Sequence, residues 1–552
     1  MSLFSRSVGR AAGRYAVAHL LFAAVLAGAV AVRVVAARGY PSPLWGGDSL
    51  GYLDAAVKLR PHIGRPSGYS LFLAGLRPFE DFRVVVAMQA ALGVAAGVMV
   101  YALVWRAARR AWPRRIWLPG LLAAPVSVPV LYDADLIQAE HMLLADSLFT
   151  FLLVAAVTVV LWRERTVWWA GALAGLLTSF AALTRLAGLP LLALVLLAMV
   201  LRWSGWRRTA AAVAAAVVTF AVPFAAYMAW FERHWGVYAM TKADNVWMYG
   251  RTVAFADCAK LRPPPELVVM CPQPPSDPRI APAFRALWTQ DSPFALIPGG
   301  IYGEEGNRRA GEFADLAIKK QFGDYLGVVW RDTLRAFETG REPYPTPWTE
   351  ENLRFPKGEE WSDEQSLLAA EYGRNARPAV VEPYAGWIRG YHDRWSTPGP
   401  VLAGLLVAGL AGVLVRLRPR SRWGAAVLLP WSMGAALVVI PAATADFDYR
   451  YLPPAVPFAC LAAGLAPVPS ARRARRDGPA SPETGTPTRA SGSSGTSGIA
   501  AVVEVSKEAA GSGRMNGSKN PDKPDEGGKI PELGKPETVE RVAEKDSSHA
   551  GL

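Results

Sequence analysis

The sequence predicts an all-α polytopic membrane protein with about ten transmembrane helices and a large extracytoplasmic loop between spans seven and eight. Hydrophobic residues make up 52% of the 552 residues and charged residues only 19%, whereas soluble globular chains carry about a quarter charged residues. Apolar runs long enough to cross a bilayer as a helix recur along the chain. These runs are continuous and rich in Ala, Leu and Val, which favours helices over alternating membrane strands.

Ten apolar segments give the predicted spans. The first segment follows Arg6, Arg10 and Arg14. It is too long for a secretory signal peptide and no small-residue cleavage site follows it, so we interpret it as a span. The segments lie near residues 15–37, 84–105, 116–131, 143–161, 168–183, 186–201, 210–230, 400–415, 423–440 and 451–467.

The charges between the spans predict their orientation, because cytoplasmic loops of membrane proteins are enriched in Lys and Arg. With the N-terminus placed inside, the basic clusters fall on one side and the acidic residues on the other. We therefore expect a multi-pass protein of the plasma (inner) membrane with both termini cytoplasmic. The inner basic residues are Arg106, Arg109, Arg110, Arg114, Arg115, Arg163, Arg165, Arg202, Arg207, Arg208, Arg416, Arg418, Arg420, Arg422, Arg472, Arg473, Arg475 and Arg476, and the outer acidic residues are Asp48, Asp54, Asp133, Asp135, Glu140, Asp446 and Asp448.

Three regions follow from this topology. Residues 1–470 form the transmembrane domain, and residues 232–398 form the extracytoplasmic loop inserted within it. Residues 471–552 are dominated by Gly, Ser, Pro, Lys and Glu and contain no aromatic residue, which predicts a disordered cytoplasmic tail. The formal net charge of +13 comes from short clusters between apolar runs, so we expect contact with membrane lipid and no nucleic-acid partner.

The large loop carries two structural predictions. Cys258 and Cys271 both lie in it, and an extracytoplasmic location favours a disulfide between them, worth about 3 kcal/mol by chain entropy. Cys460 lies in an apolar run and is expected to be an inert buried thiol. An amphipathic helix is predicted with Asp324 as its N-cap, and the loop is either a folded lid or a structural insertion. The apolar face of that helix comprises Leu326, Val329, Trp330, Thr333, Leu334 and Phe337.

The first outer loop contains a candidate general base. Asp48 follows Gly46 and Gly47 and precedes a short helix-like segment, in which Tyr52 lies one turn further on the same face. A carboxylate at the membrane surface is able to accept a proton from a sugar or protein hydroxyl. The structural alternative is that Asp48 only caps the N-terminus of that helix.

The second outer loop crowds ionisable groups at the mouth of two spans. Asp146 is predicted at or just inside the membrane, where an acid is costly and usually faces the bundle interior. The alternative is a hydrated acidic loop. Carboxylates suit hard divalent cations, so such a cation is chemically possible here, but no His or Cys pair supports zinc and we expect no required cofactor or metal.

Two outer arginines are candidate phosphate ligands. Arg185 interrupts the apolar sequence between the fifth and sixth spans, and Arg450 opens the last span beside Tyr451. Guanidinium groups bind phosphate well. The alternatives are that Arg185 reaches outer lipid headgroups or pairs with Asp48 or Asp146, and that Arg450 pairs with a neighbouring acid, Asp446 or Asp448.

In their order and shared side, these motifs resemble the GT-C superfamily of polyprenyl-phosphate-sugar-dependent glycosyltransferases, which includes protein O-mannosyltransferases and lipid A aminoarabinose transferases. The resemblance covers the first 230 residues and the last two spans. It implies Asp48 as the general base. It places substrate binding at Tyr52, Arg65, Tyr69, Asp146, Arg185, Arg450 and Tyr451. The motifs are Gly47-Asp48-Ser49, Pro66-Ser67-Gly68-Tyr69, Leu144-Ala145-Asp146-Ser147, Leu183-Thr184-Arg185 and Arg450-Tyr451-Leu452-Pro453.

The sequence departs from the family in two places. Relatives usually have a glutamate at the position of Asp146, and some have a second acid where this chain has Ser49. The implied reaction is inverting transfer of a hexose or pentose from a polyprenyl-phosphate donor to a hydroxyl on a protein, lipid or polysaccharide. The rival interpretations are a multi-span transporter or lipid-linked-sugar flippase, and a noncatalytic scaffold for a cell-envelope assembly.

Overall fold

The computed structural model describes residues 2–358, 360–416 and 424–469, with side chains from His19 onward except at position 350. The predicted tail, residues 471–552, lies outside the described residues. Within the described part the regular elements are helices, and the extended pairings are two isolated bridges, Leu44 with Met142 and Asp81 with Arg374. The all-α class is therefore confirmed for these residues.

A helix occupies each of the first seven predicted apolar segments, and three short helices lie between them. A 3₁₀ turn, Leu186–Gly188, begins the sixth segment, so the α-helix there starts after Pro190. The helices are α1 (Ser2–Gly39), α2 (Ser49–Lys58), α3 (Gly68–Leu76), α4 (Phe82–Ala111), α5 (Leu118–Tyr132), α6 (Ala134–His141), α7 (Asp146–Trp162), α8 (Trp168–Thr184), α9 (Leu191–Leu201) and α10 (Trp206–Trp235).

The large loop is folded, and three helices follow it at the last three predicted segments. Two 3₁₀ turns, Tyr449–Tyr451 and Pro453–Ala455, precede the final helix. The helices of the loop are α11 (Asp244–Val253), α12 (Cys258–Leu261), α13 (Pro282–Trp288), α14 (Glu304–Lys320), α15 (Phe322–Arg335), α16 (Thr349–Asn352), α17 (Asp363–Tyr372) and α18 (Tyr384–Trp395), and those after it are α19 (Gly399–Arg416), α20 (Gly424–Thr444) and α21 (Val456–Leu465).

The described helices make this a multi-pass membrane protein by length and composition. Five are long and apolar enough to cross a bilayer: α4, α10, α19, α20 and the part of α1 from His19 to Gly39. The pair α5 and α6, bent by 48°, is either a sixth span or a re-entrant segment. Helices α7, α8 and the segment Leu186–Leu201 are apolar but shorter. The count of ten spans therefore stays a prediction.

Small residues bring two of the membrane helices into close contact. A β-carbon added to Gly171 or Gly175 of α8 would lie 2.1 Å from the carbonyl oxygens of Ala212 and Ala216 in α10. The four-residue spacing on both helices puts small residues along one shared seam, as is typical of helix pairs that associate in lipid. This seam packs α8, the helix that ends just before Arg185, closely against α10.

The large loop consists of two parts that pack differently. Its first part forms a core of its own, with Tyr249 and Phe313 at the centre, and carries the Cys258–Cys271 disulfide, whose Cα atoms lie 6.0 Å apart. The second part packs on the first interhelical loop: the Tyr372 hydroxyl donates to the Leu73 carbonyl at 2.8 Å. The second part of the large loop therefore packs directly against α3, outside the loop.

The predicted amphipathic helix of the loop exists as α15, but its predicted N-cap is wrong. Gln321 occupies the N-cap position, and Asp324 lies in the first turn. On the predicted apolar face Leu326, Trp330 and Leu334 are exposed, whereas Thr333 is buried. The sequence period gave the helix correctly, whereas it could not say which face would be covered.

Candidate active site

Five charged side chains from distant parts of the sequence meet in one ion-pair chain. The chain lies on the side of the helices from which the large loop extends. The order of the five side chains is Arg65, Asp48, Arg450, Asp146 and Arg185. Nη2 of Arg450 lies 2.6 Å from Oδ2 of Asp48, and its Nε lies 3.3 Å from Oδ2 of Asp146. Arg65 contacts Asp48, and Arg185 contacts Asp146. Three guanidinium groups thus share two carboxylates within this chain.

Asp48 occupies the N-cap position of α2, yet its side chain makes no capping hydrogen bond. The carboxylate instead accepts from Arg450 and pairs with Arg65. A capping aspartate would direct its oxygens to the backbone N–H groups of the first helical turn. The geometry therefore gives Asp48 a role in the ion-pair chain rather than in helix capping.

Backbone pairing between the first and second interhelical loops brings Asp48 close to Asp146. The Leu143 N–H donates to the Leu44 carbonyl at 2.9 Å, and the Ser49 hydroxyl donates to the Leu143 carbonyl at 3.0 Å. A side chain at Gly46 would approach Met142 to 3.0 Å, so glycine permits this contact. The loop sequence Leu44–Ser49 is thus shaped to lie against the residues that precede α7.

Asp146 and Arg185 form the buried end of the chain. Asp146 is the first residue of α7 and is almost fully buried, where the positive end of the helix dipole favours a carboxylate. Arg185 follows α8 in an extended conformation, and its guanidinium lies 4.9 Å from the ring centre of Tyr451. Of the alternatives for Arg185, the structure has the pairing with Asp146 rather than a side chain that extends toward lipid headgroups.

Arg450 connects the two acids from the middle of the 3₁₀ turn Tyr449–Tyr451. The Asp448 carboxylate accepts from the Arg450 backbone N–H at 2.9 Å, which fixes the start of this turn. The alternative that the Arg450 side chain pairs with Asp446 or Asp448 is therefore wrong. Burial raises the pKa of Asp448 to about 6, and burial lowers the pKa of Arg65 to about 10, so the Arg65 guanidinium remains charged at neutral pH.

Two of the three tyrosines of the predicted site, Tyr52 and Tyr69, pack against each other. Tyr52 is buried close to the guanidinium groups, and desolvation by burial raises its pKa. Tyr69 packs against it edge to face, with ring centres 5.1 Å apart. The Tyr69 hydroxyl donates to Oε1 of Gln89 at 2.7 Å and the side chain is fully buried. The structure therefore places Tyr69 behind Tyr52, where it supports the site rather than opening onto it.

A narrow, largely apolar pocket, partly open to solvent and with a cavity volume of about 20 Å³, lies beside Asp146 and Arg450. Helices α4, α5, α6, α7 and α21 contribute its walls, and Glu140 belongs to its lining together with Asp146 and Arg450. The pocket thus combines ionisable groups with apolar walls. The apolar residues of the walls include Ala96, Val130, Leu136, Phe151 and Pro457.

A buried network holds the segment that carries Arg450. Arg251 of α11 is fully buried; its Nη1 lies 2.6 Å from Oδ2 of Asp332 and donates to the Ala442 carbonyl at 3.2 Å. The same nitrogen lies 3.7 Å from Oδ1 of Asp446, which also accepts from the Tyr344 hydroxyl at 2.7 Å. The large loop thus fixes residues 442–446, immediately before the turn that presents Arg450.

Sequence reasoning missed Arg251, and it also missed Arg33. Arg33 of α1 forms a buried bidentate pair with Glu140, with Nη2 2.6 Å from Oε1, and donates to the Leu131 carbonyl at 2.8 Å. A lone arginine near the end of an apolar run was the available signal, since such a residue is costly without a partner. Arg251 sits in a loop of mixed charge and gave no comparable signal.

Within the described part of the chain, no group of three or more His, Cys, Asp or Glu side chains is arranged to hold a metal ion. The acids of the ion-pair chain have arginines as their neighbours. The site geometry is that of carboxylates paired with guanidinium groups, which are able to bind an anion by exchange of partners.

Comparisons with known proteins give a distant likeness. No protein-family model and no curated protein matches the chain. Among solved structures it is similar to ArnT from Cupriavidus metallidurans bound to undecaprenyl phosphate, with 16% identity and a TM-score of 0.31, over 81% of this chain and 78% of that chain. The apo state of ArnT matches at 15% identity and a TM-score of 0.31, over 81% of this chain and 76% of that chain. A likeness at this level assigns the chain to no family.

Proposed function

We propose that the protein is an inverting glycosyltransferase that moves a sugar from a polyprenyl-phosphate carrier to a hydroxyl acceptor at the extracytoplasmic face of the plasma membrane. The observation that carries this proposal is the ion-pair chain from Arg65 to Arg185 beside an apolar pocket. Such a reaction needs cations for the carrier phosphate, a carboxylate base for the acceptor proton and an apolar surface for the polyprenyl chain. The three arginines, Asp48 and the pocket walls would meet these needs.

The carrier phosphate would bind to the guanidinium groups. Arginine presents a planar fork of donors that matches phosphate oxygens, and three such groups lie in the one ion-pair chain. Arg450 lines the apolar pocket, so a phosphate beside it would place the attached polyprenyl chain next to apolar walls. Arg185 pairs with Asp146 and lies against the Tyr451 ring, so it is available as a further cation for the phosphate.

Asp48 would act as the general base. In a single displacement the acceptor oxygen bonds to the anomeric carbon, and the bond from that carbon to the phosphate oxygen breaks. The phosphate leaves with the electron pair and is stabilised by the arginines, while Asp48 takes the acceptor proton. Attack opposite the leaving group inverts the anomeric centre. No metal or cofactor is required for any of these steps.

Binding of the carrier would also release the base. Without it, Arg65 and Arg450 hold the Asp48 carboxylate, and two nearby positive charges make a carboxylate a weaker proton acceptor. An incoming phosphate competes for the same guanidinium groups. As it takes them, carboxylate oxygens of Asp48 become free to accept from the acceptor hydroxyl.

The remaining elements of the proposal concern topology. Ten spans, cytoplasmic termini and an extracytoplasmic loop 232–398 would place the ion-pair chain at the outer surface, where lipid-linked sugars and envelope acceptors meet. The acidic residues at this end and the basic clusters at the other end support this orientation. The transmembrane domain 1–470, with the folded loop attached, would then form one catalytic body. Protein, lipid and polysaccharide acceptors are all compatible with the site, and so are hexose and pentose donors such as mannosyl carriers.

The direct test is release of polyprenyl phosphate by the purified protein in detergent. A panel of polyprenyl-phosphate sugars is supplied with crude envelope extract as acceptor, and the anomeric configuration of the product is determined. We expect turnover of one donor class with inversion. If no donor turns over and the protein in liposomes moves a solute or a lipid-linked sugar across the bilayer, the transporter or flippase interpretation replaces this one.

A further inference from the structure

Helix α15 of the large loop presents an apolar face that no described residue covers. Four large side chains lie along it at four-residue spacing. Phe322 is 56% exposed, Leu326 49%, Trp330 66% and Leu334 42%. Positions with this spacing spread over one broad face of a helix, so the exposed side chains form a continuous stripe. A stripe of this kind marks an interaction surface rather than scattered exposed residues.

The opposite face of α15 is the one that is buried in the protein, and it is mixed in character, since Val328 is buried there together with Asp332. Asp332 is fully buried and pairs with the guanidinium of Arg251. The Tyr325 hydroxyl donates to the Ala443 carbonyl at 3.0 Å. Because the inner face already contains buried apolar residues, the exposed stripe is a second apolar face of the same helix. Such an uncovered face is favourable where it meets an apolar medium.

The position of α15 identifies that medium. Tyr325 binds the carbonyl of Ala443, and Arg251 of the same network binds the carbonyl of Ala442, both in the last turn of α20. Helix α20 is one of the five helices long and apolar enough to cross a bilayer. Because α15 is fastened to the end of a span, it lies at the level where that span leaves the hydrocarbon.

The composition of α15 also fits the boundary between hydrocarbon and water. Trp330 is the most exposed residue of the stripe, and tryptophan is enriched at this boundary in membrane proteins. Arg331 lies beside it and is also exposed, so its long side chain is able to extend toward headgroups while its stem lies along the apolar surface. The stripe has the features of an interfacial helix: a strong apolar face, flanking cations and a length of a few turns.

We infer that α15 is an interfacial helix whose Phe322–Leu334 stripe inserts into the leaflet on the side of the large loop. The occupant of this face is the lipid bilayer around the protein. The inference does not depend on the glycosyltransferase proposal. It gives the large loop an anchor in the membrane, so that the loop part that holds Arg251 and Asp446 is fixed at the membrane surface.

The test places an environment-sensitive fluorophore on Trp330→Cys in the full chain, reconstituted into phosphatidylcholine vesicles. The natural cysteines do not interfere, because Cys258 and Cys271 form a disulfide and Cys460 is buried. The matched control is Arg331→Cys, the next position on the same helix, which is also exposed. Quenching is measured with a lipid carrying a nitroxide near the headgroup and with iodide in the water phase.

We expect lipid quenching at position 330 to exceed that at position 331 by roughly threefold, and iodide quenching to show the opposite order. Equal iodide access at both positions would overturn the inference. Protection at position 330 that requires high protein density and shows no lipid quenching would assign the face to a second copy of the chain and would also overturn it. If Trp330→Cys fails to fold, Leu326→Cys on the same stripe carries the test.

Discussion

The substitution Asp48→Asn separates two consequences of the ion-pair chain. It keeps the size of the side chain but removes the negative charge between Arg65 and Arg450. If Asp48 is the general base, sugar transfer should fall by roughly 10²- to 10⁴-fold, the usual contribution of proton transfer to a positioned group. If the carrier phosphate competes with Asp48 for the arginines, the same variant should bind polyprenyl phosphate more tightly. Loss of turnover with a gain of affinity is an unusual pair of effects.

The size of the affinity gain can be worked out from the contacts. A charge-assisted hydrogen bond contributes roughly 1.5–3 kcal/mol and a neutral one roughly 0.5–1.5 kcal/mol. Making both guanidinium contacts of residue 48 neutral lowers the free energy needed to displace them by about 2 kcal/mol. The three side chains are 15–19% exposed, so solvent screening reduces this to about 1 kcal/mol. We therefore expect a dissociation constant roughly fivefold lower than that of the wild type.

Both quantities are measurable on the same preparations. Affinity for polyprenyl phosphate is measured by titration in detergent, and turnover by release of polyprenyl phosphate from the preferred donor. The control is Asp54→Asn on the same helix, whose carboxylate pairs with Lys58 and Arg60 and not with the site. Weaker carrier binding by Asp48→Asn would refute the proposed exchange of partners, and unchanged turnover would refute its role as the base.

Two further predictions concern how the site is positioned. Gly68→Ala places a β-carbon 2.5 Å from the Leu183 carbonyl, beside the end of α8, and should destabilise the fold by about 1–3 kcal/mol in thermal melts. Gly75→Ala in the same helix α3 meets open space and should be neutral. Arg251→Met should lower turnover by roughly tenfold to a hundredfold through displacement of Arg450, as assayed by carrier release. Arg279→Met removes an exposed ion pair with Asp277 in the same loop and should match the wild type in turnover.

The membrane helices were predictable because the bilayer imposes a simple rule on the sequence. A helix that crosses hydrocarbon needs a long apolar run, and such runs stand out from any charged connection. Each predicted segment therefore coincides with a helix, and the boundary differences have local causes. The helix of the sixth segment starts late because a 3₁₀ turn and Pro190 precede it. The last helix starts after two 3₁₀ turns that hold Arg450 and the prolines 453 and 454.

The ionisable residues of the candidate site were predictable for a related reason. An acid or arginine next to a span is costly unless it has a partner, so Asp48, Asp146, Arg185 and Arg450 stood out against their apolar surroundings. Their order in the ion-pair chain was not predictable. It depends on the turn around Arg450, which places one guanidinium between acids that are 98 residues apart in the sequence.

The contacts of the large loop could not be predicted, because its helices do not cross the bilayer and no long apolar run marks them. The period of apolar residues located α15, but periodicity is the same whether the apolar face meets a protein core or lipid. The buried pair of Arg251 and Asp332 joins residues 81 positions apart in a segment of mixed charge, where many pairings are equally compatible with the sequence. Tertiary packing alone selects among them.

The ion-pair chain is better explained by a ligand than by stability. Exposed ion pairs contribute little to folding, and buried ones roughly balance their desolvation cost. A chain of five partly or fully buried charges from separate segments is therefore an inefficient way to stabilise a fold, and apolar residues would serve as well. An anion that enters beside Arg450 would find Arg65 and Arg185 in the same ion-pair chain as further donors, and a carrier phosphate is such an anion.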